Sequence, residues 1–339
     1  MTMAGWWRRL FWCALMVMLL TGNAFTGTLR VPAEWEPHAA TWMQWPGPEE
    51  AAMRPAFADI IAVVRAYEPV HILAANASEI EGARRFLAGR AIPSDRISFH
   101  IVPKDNAWLR DNGPVYVADG SGLRVQNWGF DGWGGNFGED TGYQRDDKVP
   151  DYIGTYLGVK VADRSDYILE RGNLEFNGAG ILVLNWDCQN DRNPGMTRSL
   201  HEALLKEAFG LDRIIWAFGH DPEDLTTGHI DGIARFINTT TIVIADYGTD
   251  TEMDLADECR AGGLTVLRYP GYPNWLVGNG FVAAMGDGSP RDKILKSHLA
   301  SYFPGRDIHM IDARAIARSG GGIHCVTNDQ PGPETYRNK

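Results

Sequence analysis

Strand-like runs alternate with helix-like runs along most of this sequence. The strand-like runs are rich in β-branched and aromatic residues, which favour extended structure. They are VHILAA from Val70, ISFHIVP from Ile97, VYVAD from Val115, ILVLNW from Ile181, RIIWAFG from Arg213, TTIVIADY from Thr240, LTVLRYPG from Leu264 and FVAAM from Phe281. Strands that alternate with helices from end to end predict an α/β protein. The spacing also permits several similar α/β modules arranged around an axis.

Segments between these strands have the apolar spacing of amphipathic helices. After Pro55, which a first helical turn accepts, apolar residues recur at helical spacing from Phe57 to Val64. The segment Ser199–Gly210 repeats this spacing and ends at a glycine suited to a helix C-cap. The segment Pro290–Gly305 shows it again.

Length and composition fit one large domain. The chain has 339 residues, 44% of them hydrophobic, which is enough to bury a large core. No linker-like segment divides it, so residues 25–339 are predicted to form a single domain. The formal net charge of −11 argues against nucleic acid and favours cationic ligands. Neither G-x-G-x-x-G after an early strand nor a Walker A sequence occurs, so nucleotide cofactors are unsupported.

Residues 1–24 have the layout of a signal peptide. The basic pair Arg8 and Arg9 precedes an apolar run that ends at Leu20, and small residues follow up to Ala24. The run is shorter than the ~20 apolar residues of a membrane span, and the bulky tryptophan before Cys13 argues against lipoprotein processing. We predict cleavage near Ala24 and an exported, periplasmic protein without stable membrane insertion. A retained N-terminal anchor is the alternative.

Cleavage would leave Cys188, Cys259 and Cys325. An odd number leaves at least one thiol unpaired in a compartment where disulfides form. Cys325, in GGGIHCVTNDQP, is open to interpretation as a buried small hydrophobe, a disulfide partner of Cys188 or Cys259, or a nucleophile. The glycine run before it offers no side-chain packing and indicates a backbone that closely approaches something else. We therefore favour the nucleophile.

Three further motifs combine turn residues with charged side chains that a loop could direct into a cavity. WLRDNGP contains Asp111, ERGNLEFNG contains Glu170, and TTGHIDGIARF contains His229 and Asp231. In an extended segment, residues two apart face the same side, so His229 and Asp231 would face one direction. A surface strand that shows both by chance is the alternative.

A metal site is the second interpretation of this chemistry. His229, Asp231, His324 and Cys325 carry N, O and S donors that zinc accepts. The sequence has no H-E-x-x-H and no C-x-x-C pair, however, and adjacent His324 and Cys325 would point to opposite faces of an extended segment.

The motifs, taken together and in this order, resemble the agmatine deiminase and bacterial-type (Porphyromonas-type) peptidylarginine deiminase family of guanidine-modifying enzymes. PAEWEPHAATWMQWP from Pro32 looks like the N-terminal signature of that family, and NWGFDGWGG from Asn127 looks like its tryptophan-glycine segment. The likeness extends from about Pro32 to Pro331. It implies a fivefold pseudosymmetric α/β propeller of the pentein type, with ββαβ modules around a central active site.

The resemblance also implies a role for each motif residue. Asp111 and Asp231 become guanidinium-binding carboxylates, and Glu170 becomes a further active-site carboxylate. His229 becomes the general acid/base, and Cys325 becomes the nucleophile. No metal and no organic cofactor is needed.

Tryptophans are the predicted walls for the rest of the substrate. Trp108, Trp128 and Trp133 are candidate substrate contacts, with cation–π attraction to a cation as one contribution. Core packing is the alternative, and we expect it for at least one of Trp128 and Trp133. The chain departs from the family at Arg171, where glycine is expected, and at Thr227, where many agmatine deiminases have a polar or acidic residue.

The implied reaction is hydrolytic deimination of a guanidine. Agmatine is the leading substrate, with N-carbamoylputrescine and ammonia as products, which would place the enzyme in polyamine metabolism. Peptidylarginine or another small guanidine is the alternative substrate, and amidino transfer is another outcome of the same intermediate. A noncatalytic periplasmic binder of polyamines or guanidines is the alternative from another class. The sequence leaves open whether the protein forms a homo-oligomer.

Overall fold

A computed structural model describes residues 29–138 and 142–336 of the protein. The predicted signal peptide, residues 1–24, and its cleavage site lie outside the described residues. Within them, no helix has both the length and the apolar character that a membrane crossing requires.

The helices and strands follow one another in a repeating order. The chain begins with β1 (His38–Gln44), α1 (Arg54–Tyr67), β2 (Val70–Ala74), α2 (Ala77–Gly89), β3 (Ile97–Ile101) and α3 (Leu109–Asn112). It continues with β4 (Val115–Asp119), β5 (Gly122–Gly129), α4 (Val149–Leu157) and β6 (Lys160–Ile168), then β7 (Glu175–Phe176), β8 (Ile181–Asn185), α5 (Trp186–Arg192), α6 (Arg198–Phe209) and β9 (Arg213–Ala217).

The second half repeats the same order. It contains β10 (Ala234–Asn238), β11 (Thr241–Ala245), α7 (Asp250–Ala261) and β12 (Thr265–Tyr269), then β13 (Leu276–Gly278), β14 (Phe281–Gly286), α8 (Arg291–Tyr302) and β15 (Asp307–Asp312), and finally α9 (Arg314–Arg318) and β16 (Asn328–Pro331). Single 3-10 turns occur at Ala51–Met53, Trp133–Gly135, Asp146–Lys148, Arg171–Asn173, Ile230–Gly232 and Pro333–Thr335.

Over residues 29–138 and 142–336 these strands form five small mixed sheets. In the sheets β4-β5-β6, β7-β8-β9, β10-β11-β12 and β13-β14-β15, an antiparallel hairpin precedes a parallel pair. A helix connects each parallel pair, as parallel strands require. The remaining sheet has the order β16-β1-β2-β3. The predicted α/β class is confirmed, and the repeated modules fit a pseudosymmetric arrangement.

The first and last strands of the described chain belong to one sheet. β16 pairs antiparallel with β1, with Thr41 opposite Asp329 and Trp42 opposite Asn328. The segment that carries Cys325 immediately precedes β16, so this pairing holds the C-terminal motif against the N-terminal module.

The predicted helices form where their local signals place them. Pro55 lies in the first turn of α1, and Phe57, Ile60 and Val64 are fully buried on one face. The side chain of Thr197 accepts a hydrogen bond from the backbone N–H of Leu200 at the start of α6. α6 ends at Gly210, whose φ of 66° is left-handed and favours glycine.

Helix α4 packs so closely on its sheet that only glycine fits at residue 154. A Cβ atom on Gly154 would overlap the side chain of Val161 on β6. A Cβ atom on Gly82, in α2, would have no neighbouring atom within 4 Å. Both glycines lie inside a helix, so they form a matched pair.

We predict that Gly154→Ala lowers the free energy of unfolding by about 1–3 kcal/mol, because overpacking a core displaces its neighbours. Gly82→Ala should raise it by about 0.5–1 kcal/mol, because alanine has the higher helix propensity. Urea denaturation followed by circular dichroism measures both. Equal stability of the two variants would contradict the close packing of α4.

Candidate active site

Three of the four motifs line one cavity of about 310 Å³, and the fourth contributes Glu170, which contacts His229 without lining the cavity. Asp111, His229, Asp231 and Cys325 all line it. Its other lining residues include Trp108, Trp133, Phe137, Tyr272 and the acidic residues Asp221, Glu223 and Asp224. The predicted grouping of an imidazole, two carboxylates and a thiol is therefore present in space.

Each of these side chains comes from a segment that connects one sheet to the next. Asp111 lies on α3, between β3 and β4, and Glu170 is the second residue after the end of β6. His229 and Asp231 lie just before β10, and Cys325 lies in the turn before β16. The backbone N–H of Arg110 donates to the carbonyl of Cys325 at 3.0 Å, which joins the first motif to the last.

The segment around His229 is not extended. Ile230–Gly232 forms a 3-10 turn, so the prediction of an extended segment is wrong. The side chain of Ile230 is fully buried in a hydrophobic cluster, which anchors the turn. Asp231 and His229 still line the same cavity, because the turn places Ile230 alone in the core.

His229 is held between two carboxylates. Its Nε2 lies 2.6 Å from Oε2 of Glu170, and its Nδ1 lies 3.5 Å from Oδ1 of Asp111. Burial by itself lowers the pKa of His229, but Asp111, followed by Cys188 and Glu170, holds that pKa well above its ordinary value. The imidazole is therefore protonated at neutral pH and can act as an acid.

Glu170 is charged although it is almost fully buried. Burial raises its pKa, but the hydrogen bond from His229 and the nearby guanidinium of Arg192 bring the pKa below its ordinary value. Arg192 Nε donates to Glu170 Oε1 at 2.6 Å. Sequence reasoning missed Arg192, which lies at the end of α5 without any motif around it.

Asp111 is fixed from two sides. Its Oδ2 accepts a hydrogen bond from Trp133 Nε1 at 2.9 Å, and its Oδ1 accepts one from the backbone N–H of Gly172 at 3.1 Å. A Cβ atom at Gly172 would lie 2.5 Å from both Asp111 Oδ1 and His229 Nδ1, so only glycine fits there. Burial, with Asp231 and Glu170 nearby, raises the pKa of Asp111 to about 6, against the opposing effect of His229.

Asp231 has one oxygen bonded and one available. Its Oδ2 lies 2.7 Å from Nδ1 of His324, while its buried Oδ1 has no hydrogen-bond partner among residues 29–138 and 142–336. Burial raises the pKa of Asp231, but His324 lowers it below its ordinary value. His324 in turn lies 2.8 Å from Glu34. A buried carboxylate oxygen without a partner is suited to accept a hydrogen bond from a ligand.

Cys325 is a free thiol next to Asn274. Asn274 Nδ2 lies 3.1 Å from the sulfur, and the backbone N–H of Cys325 donates to Asn274 Oδ1 at 3.2 Å. The sulfur is 3.7 Å from Asp231 Oδ2. Burial, followed by the charges of Asp231 and Asp111, raises the pKa of Cys325 well above its ordinary value. The resting nucleophile candidate is therefore protonated.

The glycine run before Cys325 makes the close approaches that the sequence predicted. A Cβ atom at Gly321 would lie 2.5 Å from the ring of Trp108, and one at Gly322 would overlap Asn274. The cysteines of the described residues, Cys188, Cys259 and Cys325, are all free and buried. The disulfide alternative for Cys325 is therefore not realised.

The three predicted tryptophan contacts separate into two groups. Trp108 and Trp133 line the cavity. Trp128 packs in a hydrophobic cluster with its ring centroid 5.4 Å from that of Phe209, and it is not among the cavity-lining residues. Its position on β5 directs its side chain into the core. The prediction that Trp128 contacts the substrate is therefore wrong.

The structure groups possible metal ligands differently from the sequence prediction. His324 is engaged by Asp231 and Glu34, away from His229. Among the residues described, the donors that lie close enough together to hold a metal ion are those of Glu170, Cys188 and His229. The sequence prediction named Cys188 only as a possible disulfide partner of Cys325, since nothing in its surrounding segment resembles a metal motif.

Comparison with known proteins gives a consistent result. A family model described as Porphyromonas-type peptidyl-arginine deiminase matches residues 30–265 and 258–331. An agmatine deiminase of Stutzerimonas stutzeri is 31% identical over 89% of this chain and 95% of that protein. A putative agmatine deiminase of Streptomyces avermitilis is 31% identical over 89% of this chain and 97% of that protein.

Solved structures have the same fold. The agmatine deiminase of Enterococcus faecalis superposes with a TM-score of 0.82 at 21% identity, covering 90% of this chain and 96% of that one. A C. jejuni agmatine deiminase variant with substrate bound gives 0.80 at 22% identity, covering 91% and 97%.

We predict that Asn274→Ala lowers kcat about 10- to 100-fold, because hydrogen bonds to a charged group contribute about 1.5–3 kcal/mol. The same change should raise the pKa of Cys325 further, as measured by the pH dependence of its alkylation. Asn238→Ala, at the exposed end of β10, is the control. A fall in kcat without a change in the alkylation profile would argue that Asn274 acts only on structure.

Proposed function

Because this chain belongs to the Porphyromonas-type peptidyl-arginine deiminase family, we propose that it hydrolyses agmatine to N-carbamoylputrescine and ammonia. The chain is a hydrolase that acts on C–N bonds of a linear amidine. The observation that carries the substrate class is the pairing of Asp111 and Asp231 with the Cys325 thiol and the His229 imidazole in one small cavity. Cys325 is the proposed nucleophile, and His229 is the proposed general acid/base.

The carboxylates are suited to a guanidinium. That group is planar, permanently charged and carries N–H donors in a fixed fork that matches carboxylate oxygens. The unpartnered Oδ1 of Asp231 can accept from one edge of the group, and Asp111 can accept from another. A cation held in this way cannot rotate, so its central carbon stays aligned with the sulfur.

Binding of the cation activates the nucleophile. The same two carboxylates that bind the guanidinium raise the pKa of Cys325 in the free enzyme. Once a cation neutralises them, their effect on the thiol is offset, the pKa of Cys325 falls and the proton leaves to solvent. The thiolate therefore forms when there is a substrate for it to attack.

In the first half-reaction, the Cys325 thiolate forms a bond to the guanidinium carbon. Protonated His229 donates its proton to the departing nitrogen, the C–N bond breaks, and ammonia leaves. A thiouronium cation stays attached to the sulfur, and His229 is left neutral. The contact with Glu170 stabilises the charged form of His229 and orients its ring.

In the second half-reaction, a water molecule attacks the thiouronium carbon. Neutral His229 accepts a proton from that water, which restores its charged form. The C–S bond then breaks as the hydroxyl proton of the tetrahedral intermediate passes to the sulfur, so the neutral ureido product leaves and Cys325 is again a thiol. No step needs a metal or an organic cofactor.

The mouth of the cavity favours a substrate with a second positive charge. Asp221, Glu223 and Asp224 line the cavity beside the four central residues. The ammonium group of agmatine would be attracted to them, whereas the carboxylate of free arginine would be repelled. This supports agmatine over free arginine, and peptidylarginine stays the alternative.

We extend the proposal to the organisation and location of the chain. The repeated sheet modules support a fivefold propeller with the active site at its centre, formed by one catalytic domain over residues 25–339. The N-terminal sequence supports export to the periplasm after cleavage near Ala24. A noncatalytic guanidine-binding protein is the competing function, and turnover separates the two.

We predict that Cys325→Ser lowers the rate of ammonia release from agmatine by roughly a thousandfold or more, while agmatine binding is retained. Mass spectrometry of the wild-type enzyme with a guanidine inactivator should locate one covalent adduct on Cys325. Cys259→Ser, which removes a buried thiol in a separate hydrophobic cluster, is the matched control. Tight agmatine binding by wild type without ammonia release would support the noncatalytic binder.

We predict that kcat/KM for agmatine exceeds that for free arginine about 100-fold or more, because like charges at the mouth cost several kcal/mol. The double variant Asp221→Asn, Glu223→Gln should raise KM for agmatine about two- to tenfold, as exposed charge pairs contribute modestly. Butylguanidine, which lacks the ammonium group, is the control substrate. An equal rise in KM for butylguanidine would mean that these acids do not contact the second cation.

A further inference from the structure

A second thiol lies behind the general acid/base. Cys188, on α5, is buried, and its sulfur lies 3.7 Å from Glu170 Oε2. The same oxygen lies 2.6 Å from His229 Nε2. One donor atom from each of these three residues lies within 4.8 Å of the other two.

The spacing of these donors suits a small divalent cation. Zinc bonds of about 2.3 Å to sulfur and about 2.0–2.2 Å to nitrogen and oxygen place tetrahedral ligands about 3.3–3.6 Å apart. The distance of 3.7 Å between Cys188 Sγ and Glu170 Oε2 is already close to that value. The His229–Glu170 distance must widen from 2.6 Å by less than about 1 Å, as the cation replaces the proton between them.

The surrounding charges also fit a cation at this point. Arg192 donates to both oxygens of Glu170, with the short bond of 2.6 Å to Oε1 and a longer one of 3.4 Å to Oε2. The closest polar neighbour of Oε2 is His229, and Cys188 also contacts it. On the far side of the ring, Asp111 faces His229 Nδ1 at 3.5 Å. A carboxylate behind a ligating histidine is the common outer arrangement of zinc sites, because it orients the ring.

We propose that Glu170, Cys188 and His229 form an inhibitory binding site for a borderline or soft divalent cation such as Zn²⁺ or Cd²⁺. On binding, Cys188 releases its thiol proton and His229 releases the proton on Nε2, so the cation is held by a thiolate, a carboxylate and a neutral imidazole. His229 then keeps a proton on Nδ1 alone, and losing it would leave an imidazolate, so the ring is a far weaker acid toward the leaving group than the imidazolium. Inhibition rests on the proposed function, whereas cation binding itself does not.

The proposed site is distinct from the nucleophile. Cys325 Sγ contacts Asn274 and Asp231, while the Cys188 sulfur contacts Glu170 on the other side of His229. A cation bound through Cys325 would therefore respond to a different cysteine substitution. This difference allows a direct test.

The binding test uses Cd²⁺ and the Cys325→Ala variant, so that the nucleophile cannot contribute a thiolate. We expect one Cd²⁺ per chain with an ultraviolet thiolate-to-cadmium charge-transfer band. The band should be lost when Cys188→Ala is added to the Cys325→Ala variant. It should be retained when Cys259→Ala is added instead. The absence of the band from Cys325→Ala, or its persistence without Cys188, would overturn the proposal whatever the substrate is.

The inhibition test measures the Zn²⁺ concentration that halves ammonia release, relative to the uninhibited rate of each variant. Cys188→Ala should raise that concentration about tenfold or more, since loss of even an outer contact of a metal site costs 10- to 100-fold. Cys188→Ser is the second variant, and Cys259→Ala is the control. Unchanged zinc sensitivity in a folded Cys188 variant would overturn the inhibitory role, while absence of turnover with every guanidine would instead contradict the proposed function.

Discussion

Burial of negative charge is the constraint on which this active site depends. An isolated buried carboxylate is costly, and it is retained only where hydrogen bonds or positive charges compensate it. Glu170 has Arg192 and His229, Asp231 has His324, and Asp111 has the indole of Trp133. The compensation is incomplete at Asp111, whose pKa is raised, and at the unpartnered oxygen of Asp231. A bound cation completes the compensation. The negative charge that the protein leaves uncompensated at Asp111 and Asp231 is therefore what recognises the cation.

The same requirement explains why residues far apart in sequence must come together. Glu34, near the start of the described chain, bonds to Arg235 and lies beside His324, and His324 bonds to Asp231. Arg110 and Arg171 both bond to Asp329 on β16, at 2.8 Å each. These buried pairs cross from one sheet to the next, so removal of one partner would leave a charge in the core. The sheets therefore support the cavity through ionic contacts as well as through hydrophobic packing.

Sequence reasoning predicted the α/β class and the residues of the cavity more fully than the partners that set their chemistry. Cys325, His229 and Asp231 lie among glycines and turn residues, and such local signals can be recognised in the sequence alone. Asn274 and Arg192 have no such signal, since each acts through a contact with a residue many positions away. Trp128 and Trp133 occur in one tryptophan-glycine segment, yet one enters the core and the other the cavity, because β5 ends between them. Arg171, the departure from the family pattern, is accommodated by Asp329, a pairing that no local pattern predicts.

The protonated state of the cysteines connects the chemistry to the proposed location. Burial raises the pKa of Cys188 to about 11 and that of Cys259 to about 12, and it also raises the pKa of Cys325. Oxidation and disulfide exchange require an accessible thiolate, so all three thiols resist them in the free enzyme. An exported enzyme with a permanently ionised nucleophile would be exposed to oxidants between turnovers. An enzyme whose substrate generates the thiolate is exposed only while the guanidinium covers the sulfur, which makes a cysteine nucleophile compatible with an oxidising compartment.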